Sequence, residues 1–300
     1  SGEQAMNIVL VSVLGYVLVQ FAIGAWVSRR MTSEQDYILA GRSLGRGLVT
    51  FSVFASFFGA EAVVAAAGAV YEKGLIGAWI DPFGYGFALV IVALVLALPL
   101  WRRGLTTFAD LFRMRYGAGV EKLVVLMLLP GSIFWASAQI RAFGQVLSAN
   151  SSLPLVAAIL VAAVLVASYS VVGGLLADAV TDVIQGLALI IGLIILLAMV
   201  LWSLGGLEAG LARIPAERLS LANAEDSVLK MLEELAIPVC GTIVSVELIS
   251  RFLGARTGAV AAGGTLAGAL VYLVIGIIPV TLGLIGPGVV GGVLLDQLAS

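Results

Sequence analysis

The sequence predicts an all-α integral membrane protein, a bundle of about eight transmembrane helices, and three observations carry that prediction. Of the 300 residues 61% are hydrophobic and 11% charged, with a mean hydropathy of +1.13, whereas soluble domains run at roughly 45–50% apolar and about 25% charged. An excess of that size has to face hydrocarbon, because no water-soluble interior of this length can hide it. Apolar runs of the ~20 residues that cross a bilayer at ~1.5 Å per residue recur from one end of the chain to the other. These runs are too long for strands and lack strict alternation, so helices are the reading.

Eight spans follow in order, at about 6 to 28, 48 to 71, 77 to 100, 121 to 148, 154 to 172, 177 to 203, 235 to 253 and 260 to 285, with ends good to about 2–4 residues. The opening SGEQAMNIVL lacks the basic region of a signal peptide, so the first run is read as a retained helix. Gly173-Gly174 is the expected tight turn between spans 5 and 6. Trp26, Trp101 and Trp202 stand at span ends, where interfacial anchors belong. Gly59, Gly68, Gly144, Gly186, Gly192, Gly241 and Gly268 fall inside spans, where a missing side chain lets neighbouring backbones approach.

Charge sets the orientation. The connections after spans 1, 3 and 7 carry Arg29, Arg30, Arg42, Arg46, Arg102, Arg103, Arg113, Arg115, Lys122, Arg251 and Arg256, against Lys73, Arg213, Arg218 and Lys230 on the other side. The basic-rich side is expected in the cytoplasm, which puts the N-terminus outside. A long, net acidic connection from Gly205 to Glu234 then faces out.

Several function classes drop away on composition. A net charge of −2 and the absence of histidine leave no basic nucleic-acid footprint and no His-based metal site. The single cysteine, Cys240, can neither form an internal disulfide nor hold zinc alone, and is read as packing. No Ser-His-Asp set, metal cluster or phosphate loop is present, so an enzyme is not the expectation.

Spans 2 and 7 contain features that a lipid anchor has no use for. Span 2 reads SFFGAEAVVAAAG and span 7 reads Pro238-Val-Cys-Gly-Thr-Ile-Val-Ser-Val-Glu247. Interrupted helices are tolerated in hydrocarbon where the freed backbone groups line a cavity or bind an ion, and a pair of them is a pointer to a transport site. Simple kinks are the alternative.

Five segments then resemble one family in order. DYILAGRSLG after span 1, FASFFGAEAVVAAAGAVYEKG in span 2, TTFADLFRMRYG after span 3, VVGGLLADAVTDVIQG leading into span 6 and ELISRFLGAR closing span 7 are similar to signatures of the sodium:solute symporter family, to which proline, pantothenate and sodium/sugar cotransporters belong. The resemblance implies a leucine-transporter-type inverted-repeat bundle. Residues 1–47 would hold an extra first helix and a cytoplasmic loop, 48–204 the first five-helix repeat, 205–234 the extracellular loop and 235–300 the start of the second repeat. It also implies sodium-coupled symport of a small organic solute by alternating access, in the inner (cytoplasmic) membrane. The chain resembles a transporter that stops before the ninth span, so the missing C-terminal helices would belong to the complete protein. A solute-sensing input domain of a signalling protein is the alternative reading.

The implied coupling ion is Na⁺. By resemblance, the carbonyls of Ala55 and Phe58 at the break of span 2 supply one half of its cage, and hydroxyls of a ninth span supply the other. Asp182 is the leading carboxylate, since an ionisable group within a span costs roughly 2.5–3.5 kcal/mol and is a functional hypothesis by default. Its family counterpart is associated with sodium coupling or release. The alternative is a near-interface aspartate bonded to Thr181 and water. Asp178 is read as a solvated helix-start residue, favoured by the helix dipole.

Candidate substrate-binding or gating residues are Glu61, Gln139, Arg141, Thr242 and Ser245. Glu61 falls just after the break of span 2 and Arg141 within span 4. The two either pair or jointly engage a polar solute, such as an amino acid or carboxylate, or else Arg141 snorkels while Glu61 takes a proton. Gln139, Thr242 and Ser245 face a substrate or bond neighbouring helices. Glu247 and Arg251, one turn apart, are expected to form an i,i+4 ion pair.

Overall fold

Backbone polar groups in hydrocarbon must be satisfied within their own segment, which is why long apolar runs fold as helices. The computed structural model describes residues 2–29, 33–59, 61–220 and 228–299, and every long element among them is helical. Among these residues backbone pairing of the β type is confined to one isolated bridge between Leu44 and Ala255.

Helices stand at all eight expected positions in order; among the described residues four are long and apolar enough to cross a membrane alone, and six if each bent pair is one span. Span 1 is α1, Gly2–Ser28. Span 2 is a bent pair, α2 (Arg46–Phe57) and α3 (Ala66–Lys73), joined through a π-helical turn at Glu61–Ala65. Span 3 is α4, Leu75–Arg102. A short amphipathic helix, α5 (Phe108–Tyr116), leads to span 4, α6 (Ala118–Ala149). Spans 5 and 6 are the two arms, α7 and α8, of Leu155–Ser203, which meet at Gly174 with φ 54 and ψ −172. That conformation is open to glycine and costly for other residues, as the double-glycine turn required. Span 7 is a second bent pair, α9 (Val228–Ile243) and α10 (Val246–Leu253), and span 8 is α11, Gly258–Ala299.

The bends measure 64° for span 2 and 44° for span 7. Span 7 breaks below Pro238, at Val244, and Ser245 caps the new helix by accepting from the Leu248 amide at 3.3 Å. Among the described residues α9 already includes Val228-Leu-Lys-Met-Leu-Glu-Glu234, a stretch of mixed polarity ahead of the expected apolar boundary.

Glycine contacts decide how closely the helices approach. On α11, a Cβ at Gly264 would stand 2.8 Å from Val49, and one at Gly268 would stand 2.7 Å from the Thr50 carbonyl and 2.9 Å from Val53. These two glycines, one turn apart, let α11 lie directly on α2. Gly144 likewise faces Ile159 of α7, and Gly186 faces Phe51 and Phe54 of α2. A Cβ at Gly59 would stand 3.4 Å from the Gln139 amide, an ordinary contact. Gly68, Gly192 and Gly241 have open space instead, so the close-approach expectation does not extend to them. The core gathers Val49, Val53, Phe54, Phe58, Leu89, Phe252 and Tyr272 around α2 and α11. Phe134, Met199 and Trp202 stay exposed on the outer faces of α6 and α8, as a lipid-facing surface requires.

The arginine-rich connections meet at one end of the bundle. Arg42 donates to the Leu105 carbonyl at 2.9 Å, and across the bridge the Leu44 amide donates to the Gly254 carbonyl while the Leu44 carbonyl accepts from the Arg256 amide, both at 3.0 Å. Trp101 belongs to this junction: its indole N–H reaches the Ala255 carbonyl at 2.7 Å and its ring lies under Arg42, so it ties connections together. At the opposite end Arg218 donates to the carbonyls of Val70 and Tyr71. Cys240 is exposed, contrary to the packing role expected of it, because its face of α9 points out of the bundle.

Candidate functional site

The site grows from the end of α2. A helix that stops leaves the carbonyls of its last turn without donors of their own. Here the Phe58 amide reaches back to Phe54 at 2.8 Å, and beyond that the chain turns at Phe58, with φ −92 and ψ 71. The carbonyls from Ala55 to Phe58 are therefore the ones released by the break, whereas the Gly59 carbonyl accepts from the Val63 amide at 3.3 Å. Ala55, Phe58 and Gly59 line a cavity of about 720 Å³ between α1, α2, α6 and α8, together with Gln139, Asp182 and Arg251. Gln20 of α1 also reaches this cavity, and its buried side-chain oxygen has no hydrogen-bond partner.

One turn below the break, three helices converge on a carboxylate. Ser52 of α2 donates to Asp182 of α8 at 2.5 Å, and Arg251 of α10 lies 3.5 Å from the same Oδ2 oxygen. Both charged side chains are largely withdrawn from solvent, at 13% exposure for Arg251 and 12% for Asp182. Arg251 also donates through Nε to Ser56 at 3.1 Å and lies 3.8 Å from the more exposed Asp178. A single guanidinium thus ties the inner halves of both bent spans to span 6. This arrangement corrects two expectations. Arg251 pairs across the bundle with Asp182 and Asp178, and Glu247 instead accepts from the Ser245 hydroxyl at 3.0 Å. Thr181 bonds to the Asp178 carbonyl, leaving Asp182 to Ser52 and Arg251.

A second cavity, of about 370 Å³, opens at the break of span 7. Its polar groups are Ser56, Ser132, Thr242, Ser245 and Glu247, and its aromatic walls are Phe57, Tyr85, Trp135 and Tyr272. Among the described residues that line it there is no lysine or arginine. The Thr242 hydroxyl is buried, at 1% exposure, and has no hydrogen-bond partner. Ser56, Phe57 and Trp135 border both cavities.

Of the residues singled out in the sequence, Ala55, Phe58, Gln139 and Asp182 share the first cavity, and Thr242 and Ser245 share the second. Asp182 is bonded to Ser52, one helical turn before Ser56 on α2, and lines the same cavity as Ala55 and Phe58. Arg141 is exposed on α6 and borders neither cavity. The Glu61 side chain lies outside the described residues, and with it the proposed pairing with Arg141.

Sequence reasoning missed Ser52, Ser56, Asp81, Tyr85, Trp135 and Tyr272. Two signals were available. Ser52 and Ser56 are four apart on one helix face, and Asp81-Pro82 puts a carboxylate and a helix breaker inside span 3.

A sequence model of the sodium:solute symporter family matches residues 37–294. The chain is 34% identical over 190 residues to the high-affinity choline transporter 1 of Torpedo marmorata, covering 60% of this chain and 32% of that one. It is 31% identical over 189 residues to the high-affinity choline transporter 1 of Drosophila melanogaster, covering 61% and 30%. The sodium/pantothenate symporter of Escherichia coli (strain K12) is 26% identical over 207 residues, with coverage of 67% and 43%. A solved structure of a substrate-bound, outward-open Na⁺-coupled sialic acid symporter superposes with a TM-score of 0.80 at 18% identity, covering 93% of this chain and 59% of that one. The fold is therefore that of this symporter, and the matched segments span about a third of the choline transporters' length.

Proposed function

We propose, because this chain belongs to the sodium:solute symporter family, that it takes part in sodium-coupled symport of a small organic solute by alternating access. The observation that carries this reading is the break of span 2, where α2 ends and Ala55, Phe58 and Gly59 line a cavity shared with Asp182. Hard cations take oxygen ligands, and carbonyls freed within a membrane span replace a hydration shell without bringing in charge. Ala55 and Phe58 are the carbonyl donors of that Na⁺ site, and Asp182 is the carboxylate through which the ion passes toward the cytoplasmic side. The second bent helix falls five spans after the first. That spacing supports a first repeat over 48–204 and a second opening at 235, separated by an outer connection and preceded by an extra helix within 1–47.

The cavity at the break of span 7 is the solute site in this reading, with Thr242 and Ser245 as its hydroxyls and Gln139 at the border of the neighbouring ion cavity. Relatives of this chain are named for choline, pantothenate and iodide. Four aromatic walls and one carboxylate without a lining cation favour the first of these chemistries, an organic cation held by aromatic faces. A carboxylate solute loses its support, since Arg141 stands away from the cavity. The clustering of arginine-rich connections at one end supports an N-terminus outside the inner (cytoplasmic) membrane. The test is uptake by the full-length protein in proteoliposomes, across labelled choline, amino acids and carboxylates. Choline accumulation that needs an inward sodium gradient is the expected result, and accumulation indifferent to sodium would remove the coupling claim.

A further inference from the structure

Span 3 buries a carboxylate that neither cavity described above accounts for. Asp81 lies within α4 at 9% exposure, and its Oδ1 accepts from the Tyr272 hydroxyl at 2.7 Å. Tyr272, on α11, is 1% exposed and forms part of the wall of the solute cavity. The Phe58 ring meets its ring edge-on with centroids 5.2 Å apart. One turn further along α11 Gly276 receives Pro82, against which a Cβ would stand at 2.4 Å, so α11 and α4 lie close together beside Asp81. The phenol is thus aimed at Asp81 by packing, and the carboxylate is held where the phenol can reach it.

Asp81 also borders a third pocket, of about 430 Å³, with Lys73, Lys230 and Glu234 at the end of the bundle away from the arginine-rich connections. Tyr85 borders this pocket and the solute cavity alike. Asp81 and the two tyrosines therefore form the partition between an outer pocket and the inner site.

A charge inside a membrane span is costly and is kept where it serves a pathway or a ligand. A phenol that donates to a carboxylate makes a strengthened, charge-assisted bond. As the proton is drawn toward the carboxylate, electron density shifts onto the ring, and the ring quadrupole is what attracts a cation. Resting on the organic-cation reading above, we propose that Asp81 is the specificity-determining counter-charge of the solute site, a positioning residue that acts through Tyr272 and favours a cationic over an equally shaped neutral solute.

The experiment compares choline with its uncharged carbon isostere 3,3-dimethyl-1-butanol in the full-length protein. Choline uptake gives KM and Vmax, and the isostere's inhibition constant is read against a fixed choline concentration. Asp81→Asn keeps an oxygen that can accept from Tyr272 but removes the charge. The expected result is a roughly tenfold rise in choline KM, with Vmax within about twofold and the isostere's inhibition constant within about twofold; tenfold corresponds to about 1.4 kcal/mol. Asp81→Glu should restore most of the discrimination. Tyr272→Phe cuts the link while keeping the ring, and should raise choline KM about threefold, again sparing the isostere. This second variant decides the matter where Asp81→Asn does not fold. Equal weakening of both compounds, or no change in either, overturns the proposal while leaving the organic-cation reading intact. Failure of the wild-type protein to take up choline overturns both.

Discussion

Replacing Arg251 by glutamine removes the cation that joins the two bent spans to span 6, and the structure sets the size of the effect. The guanidinium and the Asp182 carboxylate are 3.5 Å apart with 13% and 12% of their side chains exposed. At an effective dielectric constant of about 20 their attraction is on the order of 5 kcal/mol, and removing one partner of a buried pair costs about 3–5 kcal/mol. The more distant contact with Asp178, 41% exposed, adds at most about 1 kcal/mol. We therefore expect Arg251→Gln to lose about 3 kcal/mol in sodium-free buffer, which at about 2–4 °C per kcal/mol is roughly 6–12 °C of apparent Tm in detergent. The double variant Asp182→Asn/Arg251→Gln leaves no buried unpaired charge and should recover all but about 1 kcal/mol. Sodium should rescue the single variant, since an ion at 100 times its Kd contributes about 2.7 kcal/mol. Thermal unfolding in sodium chloride and in potassium chloride, for wild type, both single variants and the double, reads all of this. If Glu247→Gln couples to Arg251→Gln more strongly than Asp182→Asn does, the ion pair has been assigned to the wrong partner and the reasoning fails.

Other sites give independent checks. Gly268→Leu drives a side chain into the Thr50 carbonyl and Val53, and should abolish a monodisperse peak in size-exclusion chromatography, whereas Gly192→Ala, with open space around it, should hold or raise the unfolding temperature by the equivalent of about 0.5–1 kcal/mol. Gly174→Ala places a side chain at φ 54 and ψ −172 and should cost about 1–3 kcal/mol, read as a lower Tm without a change in solute affinity. Thr242→Val removes a buried hydroxyl with no protein partner, so the fold should be kept or slightly stabilised while solute KM rises severalfold; an unchanged KM would take Thr242 out of the site.

Helix number and order were legible because each span carries its own apolar run, set off from the next by charged or turn-forming residues. The breaks in spans 2 and 7 were legible too, since Gly59 and the run after Pro238 interrupt otherwise regular helices. Pairing was harder. Glu247 and Arg251 satisfy the helix spacing rule, yet the helix starts at Val246, and Ser245 takes the glutamate as part of the cap while the arginine crosses to α8. A local rule sees neighbours in sequence, and the partner of Arg251 lies 69 positions away. Asp81 escaped notice for a related reason: its meaning depends on Tyr272, which only the packing of Pro82 against Gly276 brings within reach. Trp101 shows the same limit, since its position at a span end gave no sign that its indole bonds to Ala255.

The central claim is that the carbonyls released at the end of α2 are ligands for sodium. An experimental structure of the full-length protein, determined once in sodium chloride and once in potassium chloride, addresses it directly. Sodium-dependent density within coordination distance of the Ala55 and Phe58 carbonyl oxygens is the expected result; a span 2 that runs unbroken through Phe58, with those oxygens bonded to amides of its own helix, would contradict it.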